Sequence, residues 1–282
     1  MEKMQRSVVS NKQAVAGVIE ALLLVALVAM VISTIQLYYI PEVMKQREAE
    51  HMDEVSNQFS HLKAMIDIQT TTGSDTPIFS ILTLGSRELP YFLTAASHGY
   101  VSIETSGNSY IQSDGVGKIV DLTSIRYFSD NLYFTKQIYA LEGGGIIVAQ
   151  PGQGSVMRVN PAINYIETET DFTITFNLPI FIDYAGKNST QGVGKCVIRT
   201  NYSSTTSSIK SYPALHIRIY TEYPRAWNQT FNDLLGNKLN VFATDAYVQI
   251  NTPTGKDLVL DFTYVRIHAQ IGPGWIIGDI SN

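Results

Sequence analysis

Residues 13–35, QAVAGVIEALLLVALVAMVISTI, constrain this chain more than any other stretch: the run is almost wholly apolar and carries one charge, Glu20. At about 1.5 Å per residue it is long enough as a helix to cross a hydrocarbon layer of roughly 30 Å. In lipid a helix is the form that satisfies such a segment's own backbone. Lys3, Arg6 and Lys12 precede the run, whereas Glu42, Glu48, Glu50, Asp53 and Glu54 follow it against Lys45 and Arg47. The asymmetry of basic residues predicts a single pass with the N-terminus cytoplasmic and the remainder outside. Glu20 marks more than a plain anchor, because an intramembrane carboxylate costs a few kcal/mol unless something neutralises it.

A secretory signal would be shorter and would end at a small-residue cleavage site, which residues 33–39 do not offer. Ala14-Val15-Ala16-Gly17-Val18-Ile19, followed by LLLVALVAMVIS, resembles the N-terminus of archaeal type IV pilins and pilin-like proteins, with their class III signal peptide. The resemblance implies a basic leader cut by a membrane prepilin peptidase between Ala14 and Val15, with the hydrophobic helix retained. That family usually has Lys or Arg directly before the small residue; here Gln13 stands there and Lys12 one further back. If the chain assembles, Glu20, sixth in the mature chain, would pair with the α-amino group of a neighbouring subunit; the alternative is that it lies at the cytoplasmic headgroup level and needs no partner.

The 282 residues are 45% hydrophobic and 16% charged, enough for a packed domain of roughly 200 residues beyond the anchor. Net charge is −5, and loss of the leader makes it −7. No basic cluster lies beyond the leader, so no nucleic-acid partner is expected. Cys196 is the single cysteine, which excludes an intramolecular disulfide and leaves stability to the core. Its alternation with Lys195 and Val197 predicts a small buried core residue.

Pro41 removes one helical hydrogen bond at the membrane exit and predicts a kink. Beyond it Ala49, Met52, Val55, Phe59, Leu62 and Ile66 recur at spacings of three and four, one apolar stripe on a charged helix. The whole helix would be roughly 80 Å long. His51 and His61, with Glu54 and Gln58, lack the H-E-x-x-H spacing of a zinc helix and are expected on a solvated face. TTTGSDTP, residues 70–77, breaks the helix.

After the break the period changes to that of strands. Candidates lie at 78–84, 99–105, 109–112, 118–128, 133–142, 145–150, 155–159, 171–184, 195–202, 215–223, 246–251 and 256–271. Many alternate, as Ile217 and Ile219 do with His216, Arg218 and Tyr220, which predicts sheets with one face buried and one wet. Residues 223–235 break the pattern: Pro224 opens a short helix on which Ala226, Trp227, Thr230, Phe231 and Leu234 share a face. The expected fold is α+β, a long hydrophobic N-terminal helix followed by an antiparallel, sandwich-like β domain with a capping helix and Trp227 packed beneath it. One large sandwich and two smaller sheets are equally open.

No catalytic motif emerges. Glu142-Gly143-Gly144-Gly145 lacks the lysine and following helix of a phosphate loop and reads as a turn. Thr254-Gly255-Lys256-Asp257 reads as a hairpin turn. Gly152-Gln153-Gly154-Ser155-Val156 is not a nucleophile elbow. The acids show no calcium-loop spacing, and His98, His216 and His268 stand apart. No cofactor, metal or catalytic residue is expected. Three N-glycosylation sequons begin at Asn188, Asn201 and Asn228, all after the anchor, with the neighbouring STQGVG and SSTTSSIKS segments expected as exposed polar loops.

Residues 41 and 47–52, 84–90, 143–147 and 224–227 also resemble a group of archaeal pilin-like surface proteins, which implies architecture and location without an activity. The expected organisation is a leader (1–14), a transmembrane or filament-core helix (15–40), its amphipathic extension (41–69), a linker (70–77) and an extracellular β domain (78–282). The expected function is a pilin-like cell-surface structural protein with a glycosylated β domain, of minor-pilin or adhesive type, whose partners are membrane lipid, prepilin peptidase and copies of itself or other pilins. A membrane-anchored binding module that never assembles is the alternative, and an exported enzyme is the weakest of the three.

Overall fold

Helical backbone runs unbroken through the apolar stretch and past Pro41. The structure is a computed structural model that describes residues 12–86, 97–106, 108–113, 117–183, 187–213, 216–252 and 255–272. Helix α1 (Lys12–Thr34) leads through a π turn, Ile35–Tyr39, into α2 (Ile40–Thr72). In the π turn Ile40 N–H donates to Ile35 O, one residue further back than an α-helix would allow. The turn ends two residues before Pro41, which sits in the first turn of α2, where a missing N–H costs least. The helix ends at Thr72 because Gly73 takes a left-handed conformation, φ 60°, and donates its N–H to Gln69 O at 3.0 Å.

Strands follow in chain order: β1 (Ile78–Thr83), β2 (His98–Glu104), β3 (Tyr110–Ser113), β4 (Gly117–Asp121), β5 (Ser124–Asp130), β6 (Gln137–Glu142), β7 (Gly145–Gln150) and β8 (Gly154–Val159). Then come β9 (Ala162–Glu167), β10 (Asp171–Asp183), β11 (Ser189–Gly192), β12 (Lys195–Pro213), β13 (His216–Tyr220), helix α3 (Pro224–Leu235), β14 (Asn240–Ala243), β15 (Tyr247–Asn251) and β16 (Asp257–Ile271). They form three sheets, ordered β1-β12-β16-β10-β9, β11-β2-β5-β6-β7-β8 and β14-β15-β13-β3-β4. Pairing is antiparallel except between β10 and β16, which run parallel from Asp171↔Asp257 to Asp183↔Ala269. The chain between them, which holds β11 to β15 and α3, is the crossover that a parallel pair requires.

Within the six-stranded sheet the middle strands, β6 above all, are buried on both faces, while β2 alternates as expected in its first half and β8 is largely exposed. On β6, Ile138 and Ala140 enter one hydrophobic cluster while Tyr139 and Leu141 enter the other. The first cluster gathers α3, the β13–β15 sheet and the early halves of β10 and β16; the second gathers α2 and the late half of β16. On β16 the parity changes midway, with Leu258, Leu260 and Phe262 in the first core and Val265, Ile267, Ala269 and Ile271 in the second. The two faces of one strand thus serve two cores.

The SSTTSSIKS segment is strand, the outer part of β12 paired with β16 up to Pro213↔Asp257, and not a loop. Its Ser/Thr composition fits an edge, because β1 covers β12 only as far as Thr200. Residues 118–128 split into β4 and β5, and residues 133–136 lie outside β6. Helix α3 buries Ala226, Trp227, Thr230, Phe231 and Leu235. Trp227 is fully buried beneath the turn at Gly143, where an added Cβ would come within 2.9 Å of the indole ring. Gly143 also has φ 56°, so glycine is required there twice over.

Candidate functional site

The junction between α2 and the β domain concentrates the polar chemistry that the stripe pattern hid. Along α2 the buried face runs Ile40, Met44, Glu48, His51, Met52, Val55, Phe59, Leu62, Ile66 and Gln69. Glu48 is wholly buried, and its carboxylate accepts the backbone N–H groups of Leu132 at 3.0 Å, Tyr133 at 2.7 Å and Phe134 at 2.6 Å. Three converging amides take the place of a cationic partner, and charge-assisted bonds of this kind are the strong ones.

One turn on, His51 is 5% exposed, a correction to its expected place on a solvated face. The Tyr127 hydroxyl donates to Leu84 O at 2.7 Å, and its oxygen lies 3.1 Å from His51 Nε2, which therefore carries the proton. Burial pushes the His51 pKa below its ordinary value, against the pull of Leu84 O, Glu54 and Glu48. Burial likewise raises the Tyr127 phenol. Higher up, Gln58 Oε1 accepts Thr83 N–H at 2.8 Å and Gln69 Nε2 donates to Thr200 O at 3.0 Å. These bonds fasten α2 to β1 and β12 along its length. His61 is exposed, as expected. A polar cleft of about 340 Å³ opens beside the junction, lined by Arg47, Glu50, His51, Glu54 and Lys195.

Below the junction the helix is bare. Every residue from Val15 to Thr34 is exposed, with Leu22 and Leu27 at 63% and Met30 at 69%. The span is long and apolar enough to cross a membrane. Ala14 and Val15 are adjacent residues of α1, so the expected cleavage bond lies in helical backbone. Glu20 is exposed on α1, and no described residue pairs with it.

A second buried acid lies on the far side of the six-stranded sheet. Glu142 accepts from Thr221 Oγ1 at 2.7 Å and from Trp227 Nε1 at 2.8 Å. Burial pushes its pKa up to about 7, against those donors and Ser109. Gly143 and Gly144 form the expected turn and Gly145 opens β7, while no motif in the sequence singles out the acid before them.

The three sequons differ in setting. Asn188 is exposed beside β11, and its carbonyl accepts Ile103 N–H at 2.8 Å. Asn201 is half-buried inside β12, opposite His268, and Asn228 is half-buried within α3. Cys196 is half-buried against the α2 core, and burial pushes its thiol up to about 11. Among the described residues no three His, Cys, Asp or Glu side chains are grouped to hold a metal ion.

No curated protein and no solved structure matches the chain. The model of a family described as "Family of unknown function (DUF7289)" matches residues 13–268, nearly the whole of the described chain from the anchor onward, and the protein belongs to that family.

Proposed function

We propose that this protein is a pilin-like surface subunit, anchored through α1 and carrying its β domain outside the membrane. The observation that carries the reading is the abrupt change along one helix. Val15 to Thr34 is bare throughout and apolar but for Glu20, Ser33 and Thr34, and from Ile40 onward a full face is buried against the domain. An exposed apolar helix of this length needs lipid or other helices around it. In a filament core α1 would pack on its copies, and Glu20 would meet the α-amino group of a neighbour beginning at Val15. The reading assigns no reaction. Asn188, exposed beside β11, is the sequon best suited to carry a glycan.

Prepilin-peptidase dependence is the test. In cells with the peptidase the mature chain should begin at Val15, and in cells without it the chain should keep its leader. Identical mass in both would contradict the reading. A displayed module that never assembles shares the anchor, and recovery of the processed chain from membranes but never from filaments would favour it.

A further inference from the structure

Burial on the helix begins at Ile40, immediately after Tyr38 and Tyr39, which are 75% and 66% exposed. Tyrosines at such a position suit a membrane interface. Ile40 is 5% exposed and Met44 wholly buried, so protein material reaches down to the residue at which the apolar span ends.

Residues 131–136, between β5 and β6, hang from Glu48 by three hydrogen bonds. Helical side chains lean toward their N-terminus, which here is the membrane side, so the carboxylate sits near the level of Met44. Met44 is about 6 Å above Ile40. The headgroup layer is about 5–7 Å deep on each side, so residues 131–136 stand at its outer edge. At that height Leu132 is 59% exposed. Nearby charge is balanced, with Lys136 paired to Asp130 at 2.5 Å.

We propose that residues 131–136 form a second lipid contact, in which Leu132 enters the headgroup layer beside the anchor and the Glu48 carboxylate holds it there. The domain then rests on the bilayer in a fixed orientation, set by a helix that cannot rotate without dragging Leu132 out of the interface. The proposal rests on the anchor reading, and its test separates the two.

The full chain carrying Cys196→Ser and Leu132→Cys is labelled with an environment-sensitive fluorophore and reconstituted in phosphatidylcholine vesicles containing nitroxide-labelled lipid. Leu27→Cys reports the span, and Phe242→Cys, in β14, reports the domain away from lipid. Shallow nitroxides should quench the label at position 132, deep ones should quench at 27, and neither should quench at 242. Glu48→Gln should reduce the quenching at 132 and leave that at 27 unchanged. Quenching at 27 without quenching at 132 overturns the proposal and leaves the anchor standing, including where the loop instead contacts a second copy. Absence of quenching at 27 overturns the anchor reading itself. If Glu48→Gln does not fold, the label at 132 in the otherwise native chain still decides.

Discussion

Trp227 Nε1–H donates to the Glu142 carboxylate at 2.8 Å across 85 residues of chain, with both side chains out of water. The bond joins α3 to the end of β6, and the indole fills the space over Gly143. Trp227→Ala should therefore destabilise the full chain by about 3–5 kcal/mol, read by urea unfolding in detergent. Trp227→Phe should recover part of that through packing while still lacking the donor. An unchanged midpoint for Trp227→Ala would show that α3 is not part of the core.

Glu142 gives the fold a pH dependence of definite sign. Its pKa rises from 4.5 to about 7 on folding, so the folded state holds the proton more tightly. Its contribution is fully present below about pH 4.5 and is lost as pH rises through about 7, a difference of up to ~3 kcal/mol. His51 acts in the opposite sense, because its lowered pKa favours the folded state above the ordinary value of 6.5. The difference in unfolding free energy between wild type and Glu142→Gln isolates the first effect. It should grow from pH 4.5 to 7 in favour of the variant, and a flat difference would contradict the assignment.

Glu48→Ala should leave the amides of Leu132, Tyr133 and Phe134 without their acceptor and cost about 2–4 kcal/mol. Hydrogen exchange should quicken most at those three amides. A uniform change across the domain would mean that Glu48 supports the fold generally and does not hold that segment.

The helix was legible because hydropathy alone writes it, and Gly73 ends it inside the breaker run at residues 70–77. Most strands were legible from their alternation. Three were not: AINYIE (β9), STQG (β11) and NVFA (β14) are short strands at sheet edges, where little burial shapes composition. The Ser/Thr run in β12 looked like a loop for the same reason. Strands buried on both faces, such as β6, need both parities apolar and so hide which core each residue serves. Glu48 and His51 were unreadable because the amides that Glu48 accepts begin 84 residues away and Tyr127 lies 76 residues from His51, and a charged helix segment gives no sign of which charge faces inward. The parallel pairing of β10 with β16 is likewise a fact of topology that alternation cannot express.

Glu20→Gln tests assembly apart from anchoring. The variant should be made, cleaved and inserted, yet enter filaments poorly, because the α-amino group of a neighbour, cationic at neutral pH with a pKa near 8, would lose its partner in an apolar core. Filament incorporation at the wild-type level would make the carboxylate a bystander at the membrane surface.

The most direct measurement of the central claim is mass spectrometry of the native chain recovered from sheared surface filaments and from membranes. A pilin-like subunit predicts the same chain in both fractions, beginning at Val15 and lacking residues 1–14. A chain that begins at Met1 and is found in membranes alone would contradict it.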